Sequence, residues 1–138
     1  MIALLYVVFG ITDILGGPEA DLGIPLGLTG STPVQLNAGS PPAYRLYDFY
    51  TRANGWNLVM VGFLSAAILL LAFRRNQRWA WWAMWSMPVW TAGIGVAFLM
   101  IGVEPTQAPP PPMISAPILA LLSAAILLVS APRFFRAD

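Results

Sequence analysis

The sequence contains no cysteine and no histidine. Disulfides, thiol nucleophiles, zinc sites, histidine-ligated haem and histidine acid–base chemistry are therefore excluded from the chain itself. Lysine is also absent, so all seven basic residues are arginine, and set against six acidic residues they leave a net charge of +1. That balance excludes the broad basic footprint that nucleic acid requires. Charge of either sign is scarce: 9% of the 138 residues are charged and 58% are hydrophobic. A water-soluble domain carries about 25% charged residues. Such a chain cannot keep a surface wet, so the solvent for most of it is lipid.

Four stretches approach the roughly 17–25 apolar residues needed to cross a hydrocarbon core. The first, residues 1–16, is short and carries Asp13. It lacks a basic leader region and a clear small-x-small cleavage site, so a retained helix is expected in preference to a signal peptide. The second, 57–73, is uncharged, and Ser40 before Pro41 and Pro42 reads as an N-cap with first-turn prolines that starts this helix near 41. The third, 80–102, is interrupted by Pro88, which predicts a kink. The fourth, 113–131, is expected to end before Pro132. The fold class expected is an all-α membrane protein, a single-domain bundle of four transmembrane helices with a long extracytoplasmic loop between helices 1 and 2.

Arg74, Arg75 and Arg78 occupy the short link between spans two and three, and Arg133 and Arg136 follow span four, whereas only Arg45 and Arg52 lie at the opposite side. By the positive-inside rule the five-arginine side is cytoplasmic and holds both termini. Aromatic residues mark the same frame, with Trp79, Trp81, Trp82 and Trp85 at the inner boundary and Tyr44, Tyr47, Tyr50 and Trp56 near the outer one.

Leu64-Ser65-Ala66-Ala67-Ile68-Leu69-Leu70 recurs as Leu122-Ser123-Ala124-Ala125-Ile126-Leu127-Leu128. Two tandem helical hairpins with parallel repeats would produce this, and so would coincidence within a restricted membrane alphabet. Small residues four apart, at Gly62 and Ala66, at Gly93 and Ala97, and at Ala116, Ala120 and Ala124, predict helix contacts. Residues 17–39 alternate turn formers with isolated leucines and isoleucines, which predicts a loop folded onto the bundle. The run Pro109 to Pro112 predicts a stiff polyproline bridge.

Asp13 is the first candidate site residue, because an ionisable group within a span is costly. It reads either as an interfacial carboxylate, paired with Arg45 or Arg52 or capping the segment after Gly10, or as a proton or cation site or an acid facing a pocket. Arg45, Asp48 and Arg52 share one helical face, and with Asn57 and Glu104 they form a candidate polar pocket for an anionic head group; an ordinary interfacial helix with an internal salt bridge is the plainer reading. Arg74, Arg75 and Arg78 are candidate lipid head-group contacts. No phosphate-binding loop, nucleophile elbow or metalloprotease motif is present, no metal is predicted, and no catalytic residue is identified.

At Phe73-Arg74-Arg75-Asn76-Gln77-Arg78-Trp79-Ala80-Trp81-Trp82, with Arg52 and Gly55 ahead of span two, the chain resembles a broad group of small four-helix bacterial membrane proteins that includes DoxX-like families. The resemblance implies a four-helix fold in a bacterial inner membrane, and no site residue carries over from it. Three functions are compatible with these readings. The first is a non-catalytic accessory or structural subunit of a larger membrane complex. The second is a lipid-, quinone- or isoprenoid-binding protein or enzyme with an outer-leaflet pocket. The third is a small transporter built from homo-oligomers. Membrane lipids are expected partners, nucleic acid is not, and no cofactor is predicted beyond a bound lipid or quinone.

Overall fold

A computed structural model describes residues 1–102 and 111–135. All regular structure among the described residues is helical: α1 (Ile2–Gly16), a 3-10 turn (Gly17–Ala20), α2 (Gly23–Thr29), α3 (Pro33–Gly39), α4 (Pro41–Leu71), a second 3-10 turn (Phe73–Arg75), α5 (Arg78–Met84), α6 (Ser86–Ile101) and α7 (Pro111–Phe135). Four helical stretches are long and apolar enough to cross a membrane: Ile2–Ala20, Pro41–Arg75, Arg78–Ile101 and Met113–Phe135. The chain is an integral membrane protein by this measure.

α4 is the longest element, and its 31 residues extend for about 46 Å at 1.5 Å per residue. The hydrocarbon core is about 30 Å thick, so roughly its first three turns stand clear of it. Pro41 and Pro42 start the helix with their fixed φ, and Ser40 occupies the N-cap position without a side-chain capping bond. The expected Ser40 cap is not made: the prolines leave Ala43 as the first residue with an N–H to offer, and the Ser40 hydroxyl does not bond it.

α1 runs antiparallel along α4, and glycines set how closely the two approach. A Cβ added to Gly10 would stand 2.5 Å from the Gly55 carbonyl oxygen, and one added to Gly62 would stand 2.6 Å from that of Ala3. Ala3 and Gly10 are seven residues apart, as are Gly55 and Gly62, so one seam repeats at nearly two turns and brings the backbones together. Thr51, Gly55, Leu58, Gly62 and Ser65 are the buried residues of α4 and lie on that seam.

α6 packs on α7 as the second helical pair. The expected kink of the third span is a break: α5 ends at Met84 and α6 begins at Ser86. Met84 is the fourth residue before Pro88, whose ring displaces that carbonyl and whose nitrogen carries no proton to replace it. By contrast, the fourth helix does not stop before Pro132 but continues to Phe135. There the carbonyl of Leu127 accepts from Trp81 Nε1 at 2.8 Å and Ser130 Oγ at 2.9 Å, and the Phe134 carbonyl accepts from Arg78 Nε at 3.1 Å. Trp81 and Arg78 thus pin the last turns of α7 to α5, and the helix runs on past Pro132 although the ring leaves the Leu128 carbonyl without its N–H donor. Pro111 and Pro112 are likewise helical, while Pro109 and Pro110 lie outside the described residues.

The two pairs meet through Tyr6, Leu58, Trp81, Met84, Met87 and Leu127, which are buried in one cluster. The Tyr6 hydroxyl bonds Thr91 Oγ1, and its ring meets Trp90 edge-on at 5.5 Å between centroids. The Thr91 hydroxyl gives its proton to the Met87 carbonyl at 2.7 Å, so Tyr6 is the donor.

Residues 17–39 are not a plain loop. Pro18, Pro25 and Pro33 are buried, and Thr32 and Gln35 form a reciprocal capping box at the start of α3. The Tyr47 hydroxyl donates to the Asp21 carbonyl at 2.8 Å, which ties this segment down to α4.

Candidate functional site

Asp13 faces α4 from the last turns of α1, and its carboxylate accepts from Asn54 Nδ2 at 3.0 Å. The arginine partner expected for it is occupied elsewhere. Arg52 Nε bonds Asp48 Oδ1 at 2.8 Å, and Arg52 Nη1 donates to the carbonyl of Ile14. A cation at the free carbonyls of a helix end is favoured by the helix dipole. Gly17 completes the arrangement with φ of +55°, and a Cβ there would stand 2.5 Å from Asp48 Oδ1 and 2.8 Å from Arg52 Nη2. Glycine alone gives both the left-handed turn and the room for the ion pair.

Of the expected pocket residues, Asp13, Asp48 and Arg52 therefore come together, but on the end of α1 and not around a vestibule. Arg45 and Asn57 are exposed and form no hydrogen bond among the described residues. Glu104 lies outside them.

Asp21 belongs to this end of the molecule and is a carboxylate that sequence reasoning passed over. It is only 7% exposed, and its Oδ1 accepts from the backbone N–H groups of Gly23 at 3.1 Å and Ile24 at 3.4 Å. Burial pushes its carboxyl above the ordinary aspartate value. The two backbone bonds pull it back, and the charge of Asp13 pushes it further up. The Asp-x-Gly spacing at Asp21 and Gly23 was the available signal, since a carboxylate there bonds the amide two residues on.

The opposite end carries the arginines. Arg74, Arg75, Arg78 and Arg133 are exposed, and Arg136 lies beyond the described residues. Arg78 is committed to Phe134, whereas Arg74 and Arg75 have no acidic or hydrogen-bonding partner among the described residues. The tryptophan row divides by helical period. Trp79 and Trp82 face outward at 56% and 63% exposure, while Trp81 is buried. Trp85, one turn on, is half-buried, and its Nε1 is the buried side-chain polar atom without a partner among the described residues. At the other end Tyr44 and Tyr47 are half-buried and Trp56 is exposed.

Two apolar cavities lie away from the polar group around Asp13. One, of about 250 Å³, opens between the helical pairs at the arginine-bearing end and is lined by residues that include Leu69, Phe73, Met84, Met87, Ser123 and Ile126. The other, of about 430 Å³, is a groove between the halves of α6 and α7 away from the arginine-bearing end, lined by residues that include Ala92, Gly95, Val96, Leu99, Met113 and Pro117. Gly93 and Gly95 have open space where a Cβ would stand. Among the described residues no three carboxylates gather as a metal site would require. At the Asp13 end, Asp13, Asp21, Tyr47, Asp48, Arg52 and Asn54 bond one another, a helix end or the segment that covers them. Comparison with protein-family models, curated proteins and solved structures finds no match for this chain.

Proposed function

We propose that the protein is a non-catalytic membrane subunit that acts by helix contact within a larger membrane complex. One contrast supports this reading. Within the chain, Gly10, Gly55 and Gly62 are filled to contact by a neighbouring helix, whereas Gly93 and Ala97, four apart on α6, are exposed and the space over Gly93 is open. Small residues at this spacing are the usual means by which membrane helices pack. On this reading a helix of the partner lies along α6 beside the groove to α7.

The polar groups agree with a contact role. Asp13, Asp48 and Arg52 fasten α1 to α4, and none of the three lines either cavity. The arginine-bearing end takes the cytoplasmic side by the positive-inside rule. Met1 and Phe73 line one cavity, and the Phe134 ring lies tilted against that of Phe73 at 4.7 Å between centroids, so the first and last described helices reach that same side. On this reading the segment 17–40 faces outward, and the membrane is a bacterial inner membrane.

The test is Gly93→Leu in the native membrane. The expected result is loss of the partner from the gently extracted complex while the thermal stability of the isolated chain is unchanged. A complex that survives Gly93→Leu and Ala97→Leu, or a chain extracted only as a monomer or homo-oligomer, would overturn the proposal.

A further inference from the structure

The cavity between the two helical pairs has a lining of one chemical kind. Met1, Leu69, Phe73, Met84, Leu122 and Ile126 give it carbon and sulfur. Its one hydroxyl, on Ser123, is spent on the carbonyls of Leu119 and Ala120 in its own helix. A water molecule needs two to four polar partners to stay in such a space, so water does not fill it. A helix does not fit either, since an α-helix with side chains is about 10 Å across. A single hydrocarbon chain meets both limits.

Hydrocarbon alone gives no selectivity, because a lipid tail gains little by leaving other tails for an apolar wall. Charge at the mouth decides which lipid enters. Phe73 lines the cavity and opens the 3-10 turn Phe73–Arg75, so Arg74 and Arg75 directly follow a lining ring. Both are exposed and unpaired among the described residues. Four of the six acidic residues, Asp13, Glu19, Asp21 and Asp48, belong to the far end or the segment covering it, and the other two, Glu104 and Asp138, lie outside the described residues. A phosphate with a net negative charge is the complement to this pair of guanidinium groups.

We infer that the cavity between the helical pairs holds one acyl chain of an anionic phospholipid, whose phosphate is held by Arg74 and Arg75. The lipid occupies the gap between the two helical pairs at the arginine-bearing end. This site is separate from the α6 contact face, and its failure leaves that proposal standing.

The experiment reconstitutes the full chain in vesicles of equal parts phosphatidylglycerol and phosphatidylcholine, extracts it in mild detergent, and counts retained lipids by native mass spectrometry. Phosphatidylglycerol is expected to be retained over phosphatidylcholine by about fivefold or more, the scale of one arginine at an anionic surface. Arg74→Gln with Arg75→Gln is expected to abolish the preference. Ile126→Trp, which fills the cavity from a half-exposed lining position and keeps both arginines, is expected to lower the number of retained lipids. Soluble glycerol phosphate is expected to displace none of them. Retention at the vesicle ratio, a preference that survives the double arginine change, an unaltered lipid count in Ile126→Trp, or displacement by glycerol phosphate would each overturn the assignment.

Discussion

Gly10 of α1 and Gly55 of α4 hold their backbones so close that a Cβ built on either would stand 2.5 or 2.6 Å from the other's carbonyl oxygen. The obstruction is backbone, which cannot rotate away as a side-chain tip can. Gly55→Ala is therefore expected to destabilise the fold by about 1–3 kcal/mol, the range for overpacking. Gly93→Ala, placed over open space, is expected to change stability by no more than about 0.5 kcal/mol. Denaturant titration of the two variants in mixed micelles checks the contrast, and equal losses would remove glycine contact as the reason α1 lies where it does.

Tyr6 and Thr91 provide a buried hydrogen bond between the two helical pairs. Tyr6→Phe keeps the ring contact with Trp90 and removes only the hydroxyl, so a loss of about 0.5–1.5 kcal/mol is expected. In a double-mutant cycle with Thr91→Val, the coupling is expected to account for most of that loss. Additive effects would mean that the two hydroxyls act independently.

Arg52 spans two interactions of unequal weight. Its ion pair with Asp48 is exposed at 45% and 34% of the two side chains, and such pairs contribute about 0.2–1 kcal/mol. Its bond to the Ile14 carbonyl fastens the end of α1. Arg52→Ala is expected to cost about 1–2 kcal/mol and Asp48→Asn clearly less. Equal costs in thermal unfolding would show that the ion pair, not the helix end, is what Arg52 supports.

The raised carboxyl of Asp21 has a pH consequence whose sign follows from proton linkage. Between the ordinary aspartate value and the raised folded value, the folded state binds more protons than the unfolded state. Stability from this group is therefore greatest at the acid side of that window and falls as pH rises through it. Asp21→Asn retains the amide oxygen that accepts from Gly23 and Ile24 and cannot ionise. Melting in detergent from about pH 4 to about pH 8 is expected to fall with pH more steeply in the native chain than in the variant. Parallel curves would contradict burial as the cause.

Composition and the four apolar stretches gave the helical membrane fold, because lipid leaves a chain few other ways to satisfy its backbone. The prolines were harder to read. Pro88 breaks its span while Pro132 does not, and on either side of Pro132 the last turns of α7 are pinned to α5 by Trp81 on the Leu127 carbonyl and Arg78 on the Phe134 carbonyl. No local pattern reports such long-range donors. The repeated heptapeptide does keep one phase in both copies, with Ser65 and Ser123 buried and Leu70 and Leu128 each 61% exposed.

For small residues, spacing alone did not separate inner contacts from outer ones. Gly62 is buried against Ala3, while Gly93 with the same four-residue pattern faces open space. Partner choice depends on where Gly10 and Gly55 fall along two separate helices. For the polar residues, sequence spacing put Arg45, Asp48 and Arg52 on one face, but the end of α1 selected Arg52 and gave Asp13 to Asn54. Asp21 was legible as a local turn and not as a buried charge, because its cover comes from Tyr47, 26 residues away.

The central claim, a subunit that works by contact, is tested most directly by native mass spectrometry of the protein extracted gently from its own membranes. The account predicts a complex in which one copy of this chain accompanies a fixed number of copies of a different membrane polypeptide, and which Gly93→Leu dissociates. A chain that emerges only alone, or only with copies of itself, contradicts it.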